Sequence, residues 1–284
     1  MRNMMIMFLL LAGQIVALAQ NQDFERKYNL LVGQGGLAGV GVETILDRWE
    51  ESDPDNVKML AARFNYLLTK SQSTEVVSRS EPKYLGMDPV LSLRDSIYVY
   101  QVPVYDDTLY GEAISAVDKA ISVHPRRLEF RFLKANALMS YEKESPDMAL
   151  SNLLALAREF ADGEGTWTYD GEEAGPEFFQ QAMQEYCVTF YTMSTPATLE
   201  AFSRLSQTMS SLYPKNHEFI RNIGTYNLTV RRDYKAALKY YGKVLKICPD
   251  DYAALKNSVI AARYMGNKKL IMKDQTRLNA VQTK

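Results

Sequence analysis

Histidine, cysteine and tryptophan are scarce: the 284-residue chain carries two of each. Two cysteines cannot frame a disulfide scaffold. Cys187 and Cys248 fall in separate expected helices, where two buried thiols are expected and pairing is left open. His124 and His217 each stand beside a helix boundary near a proline, positions that suit caps or contacts with neighbouring helices. No nucleophile, base and orienter can be named from the chain, so no enzyme activity, no cofactor and no metal is expected. Neither sign of charge dominates, with 33 basic residues against 34 acidic ones. Nucleic acid is excluded as a partner, because phosphate binding needs a concentrated basic face. Past residue 19 no apolar run could span a membrane.

The N-terminus is a separate matter. Arg2 precedes an apolar run from Met4 to Leu11 and then Ala17-Leu18-Ala19, after which Gln20 to Lys27 turn polar and charged. The run is too short for a span and the Ala-x-Ala triplet suits signal peptidase, so residues 1–19 read as a cleavable signal peptide. The mature protein then begins at Gln20 and is secreted or periplasmic. Leu11-Ala12-Gly13 is followed by Gln14, where a lipid anchor needs cysteine.

What is present is a pattern that occurs twice. Tyr110, Ala113, Val117, Ala120 and Pro125 recur as Tyr234, Ala237, Tyr241, Val244 and Pro249, with offsets of 3, 7, 10 and 15 in both copies. Gaps of three and four keep the first four residues on one face of an α-helix. The proline falls where the helix must have ended. Around the second copy, Glu218 to Tyr226 is amphipathic, Arg231-Arg232-Asp233 is a polar break and Tyr234 to Ile247 is a further helix. Cys248-Pro249-Asp250-Asp251 ends that unit and caps the next, Tyr252 to Met265, which stops at Gly266-Asn267 before a final helix from Lys268 to Val281.

Residues 217–250 resemble a unit of the tetratricopeptide repeat family, a helix-turn-helix of about 34 residues. Ile223-Gly224 stand at the family's Leu-Gly pair, and Ala237, Tyr241, Val244 and Pro249 at its Ala, aromatic, small and Pro positions. Residues 110–125 match a second helix, 128–160 resemble another unit with Ala135 and Ala149 at small positions, and 252–281 a last one. Looser helix pairs are expected at Phe24 to Val32 with Val40 to Glu51, turning at Gly33 to Gly36, and at Glu177 to Met193 with Leu199 to Leu212. Asn56 to Leu68 is a further first-type helix. The resemblance implies an all-α fold, a right-handed superhelix of antiparallel helix pairs, filling residues 20–284 as a single domain.

Two stretches interrupt the array, residues 71–109 and 161–175. In the first, Ile97 to Tyr105 is β-branched and aromatic with Pro103 inside it, which predicts extended chain where a first-type helix should precede Tyr110. It either covers apolar surface or offers tyrosines to a ligand. In the second, Asp162, Glu164, Thr166, Thr168, Asp170 and Glu173 approximate a calcium-loop spacing, but Trp167 replaces its turn glycine, so a solvated insertion is expected.

Function follows from the resemblance: a non-catalytic scaffold that binds a protein or peptide along the concave face. By the family's register the partner-facing residues are Phe132, Asn136, Arg221, Thr225, Lys256, Ile260 and Arg263, with Phe132 and Ile260 alternatively packing residues. Phe132 and Ile260 stand where a carboxylate clamp needs Lys and Asn, which disfavours capture of a chain end. The alternative is a glycan- or envelope-associated accessory protein that uses Tyr98, Tyr100 and Trp167. An unrecognised hydrolase is a third, minor class.

Overall fold

The computed structural model describes residues 20–282, and the expected leader lies outside the described residues. Among them the helices are α1 (20–35), α2 (Val42–Ser52), α3 (Val57–Ser71), α4 (Asp107–Val123), α5 (Leu128–Glu142), α6 (Asp147–Ala161), α7 (Pro176–Met193), α8 (Pro196–Leu212), α9 (His217–Thr229), α10 (Tyr234–Ile247), α11 (Tyr252–Tyr264) and α12 (Lys268–Gln282). The strands are β1 (Gln72–Arg79), β2 (Leu91–Leu93), β3 (Ile97–Tyr105), β4 (Thr168–Tyr169) and β5 (Glu172–Glu173). The architecture is all-α in the main, a succession of helix pairs. Contacts divide the chain into two compact units. One holds the residues up to Val76, Gln101–Ala137 and Thr168–Asp170; the other holds Val77–Tyr100, Leu138–Trp167 and everything from Gly171.

In the first unit α2 packs on α3 and α3 on α4. Their core is Leu46, Trp49, Met59, Phe64, Val117 and Ala120, all buried. Tyr110, Ala113, Val117 and Ala120 share the buried face of α4, as the first copy of the pattern requires. The missing partner of that helix is found: it is α3, so the pair encloses the whole interruption. The carbonyl of Ser71 accepts the Asp106 N–H at 2.8 Å, which closes the base of a 35-residue insertion (72–106). Loop closure grows only with the logarithm of length, so such a segment between paired helices costs about 2 kcal/mol more than a three-residue turn.

The expected turn at Gly33 to Gly36 also moves. Helix α1 continues through Gly35, and the chain reverses between Gly36 and Gly41, whose φ angles are 79° and 85°. A β-carbon on Gly39 would lie 2.8 Å from the Gly35 backbone, so the turn itself demands glycine.

The insertion is extended, as its composition predicts, and forms a three-stranded sheet in the order β1-β3-β2. Strand β2 runs antiparallel to β3 with Leu91 opposite Val99 and Leu93 opposite Ile97. Cross-strand partners share a face, so Leu91, Leu93 and Ile97 line one side and are exposed. Tyr100 and Val102 alternate to the other side and are buried. The acidic loop carries a short hairpin, with Asp170 and Gly171 at φ 49° and 83° between β4 and β5. Asp-Gly suits that turn, and it replaces the calcium-loop geometry.

In the second unit α7 to α12 stack in chain order, each helix on the next, and α8 also packs on α6. Helix α7 also touches α9, and α9 touches α11, so the first helices of successive pairs form a row. Ala237, Tyr241 and Val244 of the second pattern copy are wholly buried. Gly224 admits the Tyr241 ring: a β-carbon there would stand 2.7 Å from Tyr241 Cε1. Helix starts are fixed by Thr195, Asn216, Asp233 and Asp251, whose side chains accept N–H groups of the first turn. Glu142 does the same for α6 from outside, accepting Met148 N–H at 2.7 Å and Ala149 N–H at 2.9 Å.

Candidate functional site

The row of first helices leaves an open groove of about 360 Å³ along α7 and the start of α9. Its lining is Glu177, Gln180, Gln181, Gln184 and Glu185 from α7, with Asn216 and Glu218 from α9. The residues on α7 recur at three and four, so they share one polar face opposite the buried Phe179, Met183 and Phe190. Carboxamides tie the two helices together. Asn216 Nδ2 donates to Gln180 Oε1 at 3.0 Å, and Asn222 Nδ2 donates to Gln184 Oε1 at 2.8 Å. Asn222 is buried, which makes its pairing with Gln184 obligatory. Three carboxylates and four carboxamides line the groove, and no cationic side chain is among them. Such a surface offers acceptors to N–H donors and a negative field to cations.

Sequence reasoning pointed instead to basic and apolar residues. Arg221 is half-buried and engaged: Nη1 donates to Asp251 Oδ2 at 2.6 Å and Nη2 to Glu218 Oε1 at 3.2 Å. Thr225 lies 3.5 Å from the Tyr241 hydroxyl. Ile260 packs against the core formed by Tyr241, Val244 and Ala261, the packing alternative. Lys256, Asn136 and Arg263 are exposed, Arg263 with Gln275 Oε1 at 3.4 Å. Phe132 is half-buried, its ring 6.1 Å from that of Tyr169.

The aromatics proposed for glycan contact turn inward. Tyr100 is 1 % exposed and donates its hydroxyl to the Glu81 carbonyl at 2.7 Å, and its ring meets Tyr84. Trp167 is buried, with its ring 5.4 Å from Phe160. Tyr98 is half-buried. The insertion thus turns Tyr100 inward against its own Glu81 and Tyr84 and shows leucine and isoleucine outward.

Both histidines contact neighbouring elements. His124 Nε2 lies 2.7 Å from the Asp55 carbonyl, and His217 Nε2 lies 3.5 Å from Asp251 Oδ2. Neither cysteine is in a disulfide. Cys187 is buried as expected, and burial pushes its thiol up to about 12, beyond what hydrogen bonds with Ser206 and Asn222 offset. Cys248 is only half-buried, because it ends α10 at a turn.

No protein-family profile matches the chain, and no curated protein does. Solved structures are similar at low identity. MamA from Desulfovibrio magneticus RS-1, from residue 41 to its end, is 14 % identical, with 81 % of this chain and 96 % of that one covered at a TM-score of 0.37. Pseudomonas aeruginosa pilF is 11 % identical, with 95 % and 93 % covered at 0.38. A tetratricopeptide repeat protein from Parabacteroides merdae ATCC 43184 is 13 % identical, with 92 % and 79 % covered at 0.39.

Proposed function

We propose that this chain is a non-catalytic scaffold that holds an extended, basic peptide segment of a protein partner in the groove between α7 and α9, and that it works outside the cytoplasm. The observation that carries the reading is the groove's lining, the carboxylates of Glu177 and Glu185 beside four carboxamides, with Glu218 already paired to Arg221. Gln180, Gln184 and Asn216 are engaged in tying the helices together, so recognition rests on Glu177 and Glu185, whose carboxylates favour lysine and arginine side chains. Residues 1–19 support export by their charge, apolar run and Ala-x-Ala triplet.

Fluorescence anisotropy with a labelled lysine-rich peptide, and with a glutamate-rich one of equal length, tests the reading. Binding of the lysine-rich peptide should weaken with salt, and by about tenfold on combining Glu177→Gln with Glu185→Gln. Equal affinity for the two peptides, or an unchanged affinity in the double variant, would overturn it. N-terminal sequencing of protein recovered from the periplasm should begin at Gln20.

A further inference from the structure

Beyond the groove, three side chains of different chemistry converge where α9, α10 and α11 meet. His217 opens α9, Cys248 closes α10 and Asp251 caps α11. One ligand atom from each lies within 4.8 Å of the other two. Pro249 and Asp250 form the turn between Cys248 and Asp251, and the Asp251 N–H donates to the Cys248 carbonyl at 3.2 Å. That short turn sets thiol and carboxylate side by side. Asp251 is buried, its side chain 3 % exposed, whereas His217 and Cys248 are half-buried and reachable from solvent.

We propose that His217, Cys248 and Asp251 bind a divalent cation of the zinc type. Imidazole nitrogen, thiolate sulfur and a single carboxylate oxygen suit zinc or cobalt, whereas magnesium and calcium prefer oxygen throughout. Tetrahedral zinc with bonds of about 2.0–2.3 Å places neighbouring ligand atoms ~3.4–3.6 Å apart. The His217 to Asp251 separation, 3.5 Å, already meets that spacing. The other separations close with side-chain adjustments of about 1 Å, and water takes the fourth position.

Asp251 is held in place by its neighbours, and its Oδ2, the oxygen nearest His217, is shared with Arg221. Asp251 Oδ1 accepts the Ala254 N–H at 2.8 Å, and Arg221 holds Oδ2 at 2.6 Å while reaching Glu218 with its other nitrogen. Outer partners of this kind fix a ligand's orientation. The charges also balance: thiolate and carboxylate neutralise a divalent ion, and Glu218 neutralises Arg221. Binding exchanges the Cys248 thiol proton for the metal, so one proton is released to solvent for each ion bound. The site shares only Glu218 with the groove, through Arg221, and its test measures metal rather than peptide binding, so the two readings fail separately.

The experiment is a cobalt titration of the full chain from Gln20, followed in the near ultraviolet for thiolate-to-metal charge transfer. One equivalent should saturate a band that zinc then abolishes. The band should survive Cys187→Ala, vanish in Cys248→Ser and require at least about tenfold more cobalt in His217→Gln. In the unsubstituted protein, zinc should slow alkylation of Cys248 by at least about tenfold, a readout that depends on no variant's folding. Absence of the band, its persistence in Cys248→Ser, or alkylation indifferent to zinc would overturn the proposal and leave Arg221–Asp251 a structural ion pair.

Discussion

A methyl group added at Gly224 and one added at Gly242 should have opposite effects. Both glycines lie inside helices, where alanine is intrinsically favoured by about 1 kcal/mol. At Gly242 a β-carbon meets nothing within 4 Å, so Gly242→Ala should stabilise by about that amount. At Gly224 the new carbon would stand 2.7 Å from Tyr241 Cε1, on a ring with no exposed surface and no room to turn away. Overpacking of this kind costs about 1–3 kcal/mol, which outweighs the helix gain. Gly224→Ala should therefore lower the urea midpoint where Gly242→Ala raises it, and Tyr241→Leu should suppress most of the Gly224→Ala loss. A stabilised Gly224→Ala protein would show that the ring is not held against the glycine.

At the scale of elements, Glu142 joins two helices with one carboxylate. Its oxygens take the first N–H groups of α6, whose own cap position is Pro146 with no side-chain hydrogen bond. Glu142→Ala should cost about 1–2 kcal/mol in urea denaturation, since the lost bonds are charge-assisted and sit at a helix N-terminus. Glu142→Gln should cost less, and equal losses would argue that charge is irrelevant there. Helix boundaries of this kind were legible in the chain. Asp233 and Asp251 stand before apolar periodicity, and the helix from Tyr234 to Ile247 ends where the pattern predicts, whereas the helix capped by Thr195 starts at Pro196, ahead of the expected Leu199. The pairing of α3 with α4 was not legible, because separation along the chain carries almost no energetic mark of contact. Nor was the sheet's second strand, for Leu91-Ser92-Leu93 is too short to announce itself. The groove escaped notice because glutamine, asparagine and glutamate on one helix face look like an ordinary solvated surface. His217, Cys248 and Asp251 escaped because they come from separate helix ends; their shared signal was that each stands at a boundary.

For the molecule as a whole, alkali should be more damaging than the chain's near-neutral balance suggests. Burial pushes the Cys187 thiol from 9.0 up to about 12, and the Tyr241 hydroxyl from 10.0 up to about 12. Between those values the unfolded chain releases protons that the folded chain keeps, so stability falls as pH rises. Both contributions are intact below pH 9, and they are lost progressively from pH 9 for the thiol and pH 10 for the phenol. Urea midpoints measured from pH 8 to pH 11 should be level at first and then decline; a flat profile would mean that these groups ionise alike in both states. Below pH 9 these two groups cost the fold nothing. The Ser71 carbonyl and the Asp106 N–H meet at 2.8 Å across the base of the insertion, so the chain leaves α3 and enters α4 at two points one hydrogen bond apart. What lies between those ends is not independent of the rest: the Tyr105 ring packs edge-on to Tyr110 of α4 at 5.3 Å, and the Tyr84 hydroxyl donates to Glu144 Oε1 at 2.9 Å. Close-set ends of this kind suit a grafted segment, but exchanging the whole insertion would also remove those two contacts.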